Sequence, residues 1–143
     1  MEKQTYMDLK KRHEKEVADF PIAYAFNDEQ LEEALTKLGA TRREVVTIFG
    51  HGDIVKKTDA KAFIDMLKRH SKETMDRLIE DHEFAESAFL YEMDNHEYAI
   101  NYDGDEDVLR CFGLEYDDLE KHNLYEPYRR ARKRHMTYAQ DWM

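Results

Sequence analysis

The chain has 143 residues, one cysteine and a net charge of −10 at neutral pH. This length predicts one domain, and a single cysteine excludes an internal disulfide and a cysteine-rich zinc site. No run of about 18 apolar residues occurs, so no membrane-spanning helix is expected, and the polar start of the chain does not resemble a signal peptide. The composition therefore predicts a single acidic domain over residues 1–143, located in the cytoplasm.

Helical and extended patterns alternate near the start of the chain. The segment 3–19 predicts a first helix, and the apolar run 20–26 predicts a short strand. Asn27 has the position of a helix N-cap, with Gln30 three residues later as in a capping box. Gly39 is typical of the residue that ends such a helix, so a helix is expected between Asn27 and Gly39.

A hairpin is expected next. Two runs rich in β-branched residues, 45–49 and 53–57, flank a loop that contains two glycines. The start of the first strand has an alternative, because Thr41 and Glu44 can instead cap a helical turn.

Two long helices are expected after the hairpin. Thr58 or Asp59 should cap the first and longest of them. The second should begin near Phe84 and end at Asn95, because the residue types at 94–96 favour turns.

The residues after this second helix alternate as in a strand. Tyr98, Ile100 and Tyr102 recur at every second position, which is the period of a strand. Phe89 on the helix and Tyr98 on the strand are therefore both predicted to be buried.

The last part of the chain predicts short helices. Gly113 should end one of them, and a second should follow it. Residues 125–143 predict a basic final helix with Pro127 at its start. Together the elements indicate an α+β fold of about six helices packed on a small, mostly antiparallel sheet of about four short strands.

Acidic residues are concentrated in the middle of the chain. Residues 73–123 contain 17 acidic and 3 basic side chains, a net charge of −14. The segment is either a solvated acidic surface or an electronegative face that binds a basic protein surface and competes with nucleic acid for it. The candidates for such a partner-binding face lie at expected turns and helix starts: Glu83, Glu86, Asp103, Asp105, Glu106, Asp107, Asp117 and Asp118.

The clearest basic patch lies in the final helix, at residues 129–135. It either pairs with the protein's own acidic middle or contacts nucleic acid. Since residues 73–123 would repel a phosphate backbone, direct nucleic-acid binding is not expected.

A metal-dependent hydrolase or nuclease is the alternative hypothesis. If the helix reaches His96, Glu92 and His96 lie four residues apart on one helix face, a spacing that can hold a metal, and Glu97 is adjacent. His51 or His82 could complete such a site. In the competing interpretation, His96 is a structural helix terminus that stabilises the helix dipole, and no metal or other cofactor is expected.

The sequence does not contain the usual motifs of nucleophilic catalysis or of a calcium-binding loop. The order Ser-His-Asp and a nucleophile elbow do not occur, and the acidic neighbours of Cys111 predict a raised thiol pKa that does not suit a nucleophile. The run 103–107 lacks the twelve-residue pattern of a calcium loop and predicts a turn followed by an acidic helix start.

Three segments resemble a known family: residues 20–39, residues 52–63 and residues 91–98, most closely in Asn95-His96-Glu97-Tyr98. The chain resembles a small, functionally uncharacterised domain found in phages and mobile elements of Gram-positive bacteria. The resemblance covers about residues 15–120, and it brings no activity, ligand or catalytic residue with it. It implies a context, in which small acidic phage proteins often inhibit host or defence machinery in the host cytoplasm.

The sequence thus predicts a non-enzymatic binding protein. Its expected partner is a basic surface of a nucleic-acid-binding host or defence protein, for example a CRISPR protein, which it would inhibit through the acidic face.

Overall fold

The computed structural model describes residues 5–140 of the chain. The backbone contacts divide the chain into two compact units. The sheet unit comprises residues 11–70, and the helical unit comprises the segments before and after it. The boundaries fall within two helices, α1 (Tyr6–Asp19) and α3 (Lys57–Glu80).

The sheet unit contains a three-stranded antiparallel sheet with the order β1-β3-β2. The strands are β1 (Ile22–Tyr24), β2 (Val45–Val46) and β3 (Asp53–Lys56). β1 and β2 both pair with Val55, so β3 is the central strand.

The central strand is packed on both of its faces. Ile54 and Val55 are neighbours in the strand and therefore point to opposite sides of the sheet. Val55 lies in an apolar cluster with Phe63 of α3, whereas Ile54 lies in one with Ala34 of α2 (Asp28–Leu38). This two-sided burial explains why so small a sheet has an apolar central strand.

The boundaries of α2 follow the predicted caps. The Oδ1 atom of Asn27 accepts a hydrogen bond from the Gln30 amide at 2.8 Å, and the Gln30 side chain accepts one from the Phe26 amide at 2.8 Å. Gly39 has a φ of 64°, the left-handed conformation that ends many helices at glycine. The bond to Asn27 satisfies one of the amides that the first helical turn leaves unpaired, and the bond to Phe26 ties the preceding residue to the helix.

A buried carboxylate organises the loop between β2 and β3. Asp53, at 3% exposure, accepts hydrogen bonds from the amides of Ile48, Phe49 and His51 and from the Thr47 hydroxyl. Burial alone would raise the pKa of Asp53, but these hydrogen bonds outweigh it and hold the pKa below its usual value.

The helical unit is built around α4 (His82–Asn95), whose N-cap is Asp81. Three more helices follow it in the chain: α5 (Gly104–Arg110), α6 (Tyr116–Lys121) and α7 (Tyr125–Ala139). The predicted final helix extended to residue 143, and its last residues, 141–143, lie outside the described part of the chain.

Phe89 is at the centre of the helical unit. It is fully buried, and its ring makes edge-to-face contacts with the rings of Phe112 and Tyr128 at centroid distances of 5.2 and 5.1 Å. The same core includes Tyr6 and Leu9 from the start of the chain. The predicted burial of Phe89 on a helix is confirmed.

The predicted α+β class is confirmed. Within residues 5–140 there are seven α-helices and one antiparallel sheet of three strands, rather than about six helices and about four strands. In this part of the chain no helix is both long and apolar enough to cross a membrane.

The fourth strand was predicted after α4, and that prediction is wrong. Tyr98–Ile100 forms a 3-10 turn after Glu97, which has a left-handed φ of 51°. The Ile100 amide bonds back to the Glu97 carbonyl at 3.0 Å, so the turn is closed locally and not by a neighbouring strand. Tyr98 is only half-buried and Tyr102 is fully exposed, so the alternation did not mark a buried face.

Two predictions about helix starts had different outcomes. α3 begins at Lys57, directly after β3, so the predicted cap at Thr58 or Asp59 is wrong. Thr41 and Glu44 do form the alternative capping box, on a 3-10 turn at Arg42–Glu44.

Candidate functional site

The acidic segment, residues 103–121, comprises α5, α6 and the turns before them. It contains eight acidic side chains and two basic side chains, Arg110 and Lys121. Several of the acids lie in the first turns of α5 and α6, where negative charge interacts favourably with the helix dipole. This confirms the predicted acidic helix start after residue 103. Five of the eight are exposed: Asp103, Glu106, Glu115, Asp117 and Glu120.

Two half-buried carboxylates of this segment stabilise the turn before α5. Asp105 accepts hydrogen bonds from the hydroxyls of Tyr98, at 2.7 Å, and Tyr128. Asp107 accepts one from the side-chain amide of Asn101 at 2.8 Å. Burial, followed by the Asp105 carboxylate, raises the pKa of Tyr98 to about 12 and also raises the pKa of Tyr128, so both phenols stay protonated as donors.

Two more of the predicted partner-binding residues are engaged within the fold. Asp118 accepts from the Glu115 amide at 2.8 Å as part of a capping box. Glu86 accepts from the guanidinium groups of Arg130, at 2.7 Å, and Arg134, at 3.1 Å. Half of the eight predicted residues thus make intramolecular bonds, and the other four are exposed: Glu83, Asp103, Glu106 and Asp117.

A surface pocket of about 490 Å³ lies within the acidic segment. Leu109 and Leu114 supply its apolar part, and Tyr116 lies at it with 47% of its surface exposed. The remaining lining residues are Asp105, Glu106, Arg110, Gly113 and Glu115. An apolar surface combined with carboxylates suits a side chain that has an aliphatic stem and a cationic end.

Three arginines of α7 pair with acids of the same unit. Arg130 and Arg134 bind Glu86, and Arg129 donates to Glu126 at 3.0 and 3.2 Å. The two bonds to Glu86 match the interpretation in which the basic helix pairs with the protein's own acidic middle, whereas Glu126 belongs to α7 itself.

The structure places the proposed metal ligands differently from the sequence prediction. Glu92 and His96 do come together, and the third potential ligand is Cys111, which follows α5. One ligand atom of each of these three residues lies within 4.8 Å of the others. Glu97 is not part of this group; it is exposed and occupies the left-handed position after α4.

Glu92 and Cys111 both have close polar neighbours. Glu92 is 2% exposed and binds the Lys10 ammonium at 3.1 and 3.4 Å through its two oxygens. The Cys111 sulfur lies 3.3 Å from His96 Nε2 and 3.4 Å from the Asp107 carbonyl oxygen. Local burial of the sulfur and the Glu92 carboxylate raise the pKa of Cys111 to about 12, which confirms the predicted raised thiol pKa.

A family model described as "Family of unknown function" (DUF7659) matches residues 5–134. The chain belongs to this family. The match extends over both compact units. No curated protein and no solved structure matches the chain.

This DUF7659 protein also has a buried histidine that the sequence analysis missed. His135 is 2% exposed, its Nδ1 lies 2.7 Å from Asp94 Oδ1, and its Nε2 accepts from the Ala99 amide at 3.1 Å. Both ring nitrogens are therefore occupied, so His135 joins α7 to α4 through Asp94 and to the following turn through Ala99 rather than forming a catalytic base. The available signal was position, since His135 follows the buried residues Tyr128 and Ala131 at helical spacing.

A second titratable cluster lies in the sheet unit of this DUF7659 protein. His13 of α1 stacks on His70 of α3 with a centroid distance of 4.0 Å and an interplanar angle of 11°. His70 Nε2 is buried, makes no hydrogen bond with any described residue, and lies 3.4 Å from Glu16 Oε2. A hydrogen bond from Arg69 is the main reason that the pKa of Glu16 is lowered to about 2. Burial first, and then His13, lower the pKa of His70.

We expect this pair to make the protein less stable in mild acid. Because the pKa of His70 is lower in the folded state, the unfolded chain binds more protons as the pH falls below about 6.5, and stability is lost in that direction. The melting temperature should thus be lower at pH 5.5 than at pH 7.5. His70→Phe keeps an aromatic stack and should reduce this difference, whereas an unchanged pH dependence in the variant would contradict the assignment to His70.

Proposed function

We propose that this DUF7659 member is a non-enzymatic binding protein that inhibits a nucleic-acid-binding protein by occupying its basic surface. The observation that carries the proposal is the acidic segment, with eight acidic against two basic side chains, five exposed carboxylates and a pocket whose one basic lining residue is Arg110.

The chemistry of the acidic segment favours a partner rich in lysine and arginine. A nucleic-acid-binding surface presents lysine and arginine side chains to the phosphates. A duplex carries one negative charge per about 1.7 Å of its axis. The exposed carboxylates on α5 and α6 are negatively charged, as the phosphates are, and can bind the same basic surface. The pocket next to Leu109 and Leu114 would take the stem of one basic side chain, with Glu106 and Glu115 near its charged end.

Exposed tyrosines add the apolar contact that a protein interface requires. Tyr102 is fully exposed before α5, Tyr116 is 47% exposed at the pocket, and Tyr125 is 40% exposed at the start of α7. Tyrosine is enriched at protein interfaces because it combines a large apolar ring with a hydrogen-bonding hydroxyl.

The proposal includes a biological context. The partner is a host or defence protein, for example a CRISPR protein, and the chain acts in the host cytoplasm as the product of a phage or mobile element. The support is the resemblance of residues 20–39, 52–63 and 91–98 to such proteins. No membrane, cofactor or direct nucleic-acid contact is required.

Charge reversal on the acidic segment tests the proposal. We expect the triple change Glu106→Lys, Asp117→Lys and Glu120→Lys to weaken binding of the partner at least tenfold, or about 1.4 kcal/mol. The three side chains are exposed, so each reversal should change the stability by only about 0–1 kcal/mol. The partner is first captured from a host lysate with the parent protein and identified, and it is then titrated with the parent and the variant at two salt concentrations. Association with the parent should slow steeply with salt, because the Debye length falls from about 10 Å at 0.1 M to about 3 Å at 1 M.

A matched control separates the acidic segment from net charge. Glu14→Lys, Glu29→Lys and Glu33→Lys also reverse three exposed carboxylates, but they lie in the sheet unit. This control should bind within about twofold of the parent, which corresponds to about 0.4 kcal/mol. If both triple variants lose affinity equally, or if neither loses affinity at either salt concentration, the acidic segment is not the binding surface.

A further inference from the structure

Glu92, His96 and Cys111 converge from separate parts of the helical unit. Glu92 lies on α4, His96 is the C-cap of the same helix one turn later, and Cys111 directly follows α5. The i, i+4 spacing places the first two side chains on one face of α4. Cys111, fifteen residues further along the chain, reaches the same place through the fold of α5.

The spacing of the three ligand atoms fits a small tetrahedral metal ion. Zinc binds cysteine sulfur at about 2.3 Å and histidine nitrogen at about 2.0–2.1 Å, so in a tetrahedron these two atoms are about 3.5 Å apart. Cys111 Sγ and His96 Nε2 are 3.3 Å apart, and the separations within the whole set stay within 4.8 Å. Small side-chain rotations would therefore bring all three atoms to bonding distance.

The ligand types select among metals. Thiolate and imidazole suit zinc, whereas magnesium and calcium take sites made of oxygen ligands. A set of one sulfur, one nitrogen and one carboxylate oxygen leaves a fourth position of the tetrahedron for water or an added ligand.

The burial of the cluster provides both retention and entry. Glu92 is buried, and its two oxygens contact the Lys10 ammonium at 3.1 and 3.4 Å, so zinc would take one of these oxygens in place of that ammonium. His96 is half-buried and Cys111 is exposed, so an ion can enter from the side of the sulfur.

We propose that Glu92, His96 and Cys111 form a zinc-binding site in which one carboxylate oxygen, the His96 imidazole and the Cys111 sulfur are the three protein ligands. The Cys111 thiol releases its proton to water when its sulfur binds the ion. The bound ion would link the end of α4 to the end of α5, ahead of the acidic segment's second helix. The site is independent of the proposed binding of a basic partner, because its ligands are not among the exposed carboxylates of the acidic segment.

Calorimetric titration with zinc chloride tests the site directly. The purified protein, first treated with a chelator, should bind one equivalent of zinc and gain melting temperature. Cys111→Ser and His96→Gln should each weaken zinc binding at least tenfold, whereas His82→Gln, a histidine change at the opposite end of α4, should leave it unchanged. Both ligand changes affect residues that are not buried, and circular dichroism of each variant verifies that it is folded.

Cobalt and thiol chemistry give a second readout that a merely structural role would not produce. Cobalt bound in place of zinc should show a charge-transfer absorption from the thiolate, and that absorption should be lost in Cys111→Ser and retained in His82→Gln. Saturating zinc should also slow the alkylation of Cys111 by iodoacetamide. Absence of zinc binding, equal zinc affinity in the parent and both ligand variants, or alkylation at the same rate with and without zinc would each overturn the proposal.

Discussion

Phe89→Ala is expected to lower the free energy of unfolding by about 3–5 kcal/mol. The Phe89 ring is fully buried and makes edge-to-face contacts with Phe112 and Tyr128, so its removal leaves a cavity in the core of the helical unit. The cost combines the lost free energy of burying an aromatic side chain away from water with the lost contacts of the residues around the cavity. The surrounding helices cannot fill that space without moving the other rings.

Urea unfolding of parent and variant, followed by circular dichroism, measures this loss. Phe26→Ala removes the same side chain from a position that is 75% exposed, and we expect it to cost less than about 1 kcal/mol. A loss under about 1 kcal/mol for Phe89→Ala as well would mean that α4 is not the centre of the core.

Asp53→Asn should lower the free energy of unfolding by a comparable amount, about 3 kcal/mol. The Asp53 carboxylate accepts from three backbone amides and one hydroxyl, all within the loop between β2 and β3. An asparagine side chain replaces one acceptor oxygen with an NH₂ group, which cannot accept these bonds, and each buried donor left unsatisfied costs about 1–3 kcal/mol.

The pH dependence of stability provides a second measurement for Asp53. Its pKa is lower in the folded state, so its contribution is present above about pH 4 and is lost as the pH falls through the folded pKa. Asp53→Asn should remove that part of the acid sensitivity. Asp19→Asn is the matched control, since Asp19 is exposed and pairs with Lys15 four residues away, and it should cost about 0.3–0.5 kcal/mol. Equal stability of the Asp53 and Asp19 variants would contradict the role of Asp53 in the loop.

The parts of the fold that could be predicted from sequence are those determined by neighbouring residues. The limits of α2 follow from Asn27, Gln30 and Gly39, whose interactions with the backbone act within a few positions. The end of α4 at Asn95 was predicted for a similar reason, since turn-forming residues follow directly. In both cases the deciding hydrogen bonds are local.

The parts that could not be predicted depend on residues far apart in the chain. Alternating aromatic residues after α4 indicated a strand, but Tyr98 instead donates to Asp105 and packs against Gly104, where an added Cβ would lie 2.8 Å from the tyrosine ring. Asp105 was predicted to be a free surface charge because its second donor, Tyr128, is 23 residues away. The contact between Cys111 and His96 was not predicted for the same reason, because the fold brings together two residues that are fifteen positions apart.

The helical unit takes its core from segments on both sides of the sheet unit, and this determines when it can fold during synthesis. Tyr6 and Leu9 leave the ribosome well before Tyr128 and Ala131, which share their cluster. All residues of the sheet unit are made before α4, so that unit can fold on a growing chain. The buried face of α4 must wait for α7, and until then it exposes apolar surface that chaperones recognise and that favours aggregation. A nascent chain interrupted before residue 125 would therefore carry a complete sheet unit and an unprotected helix.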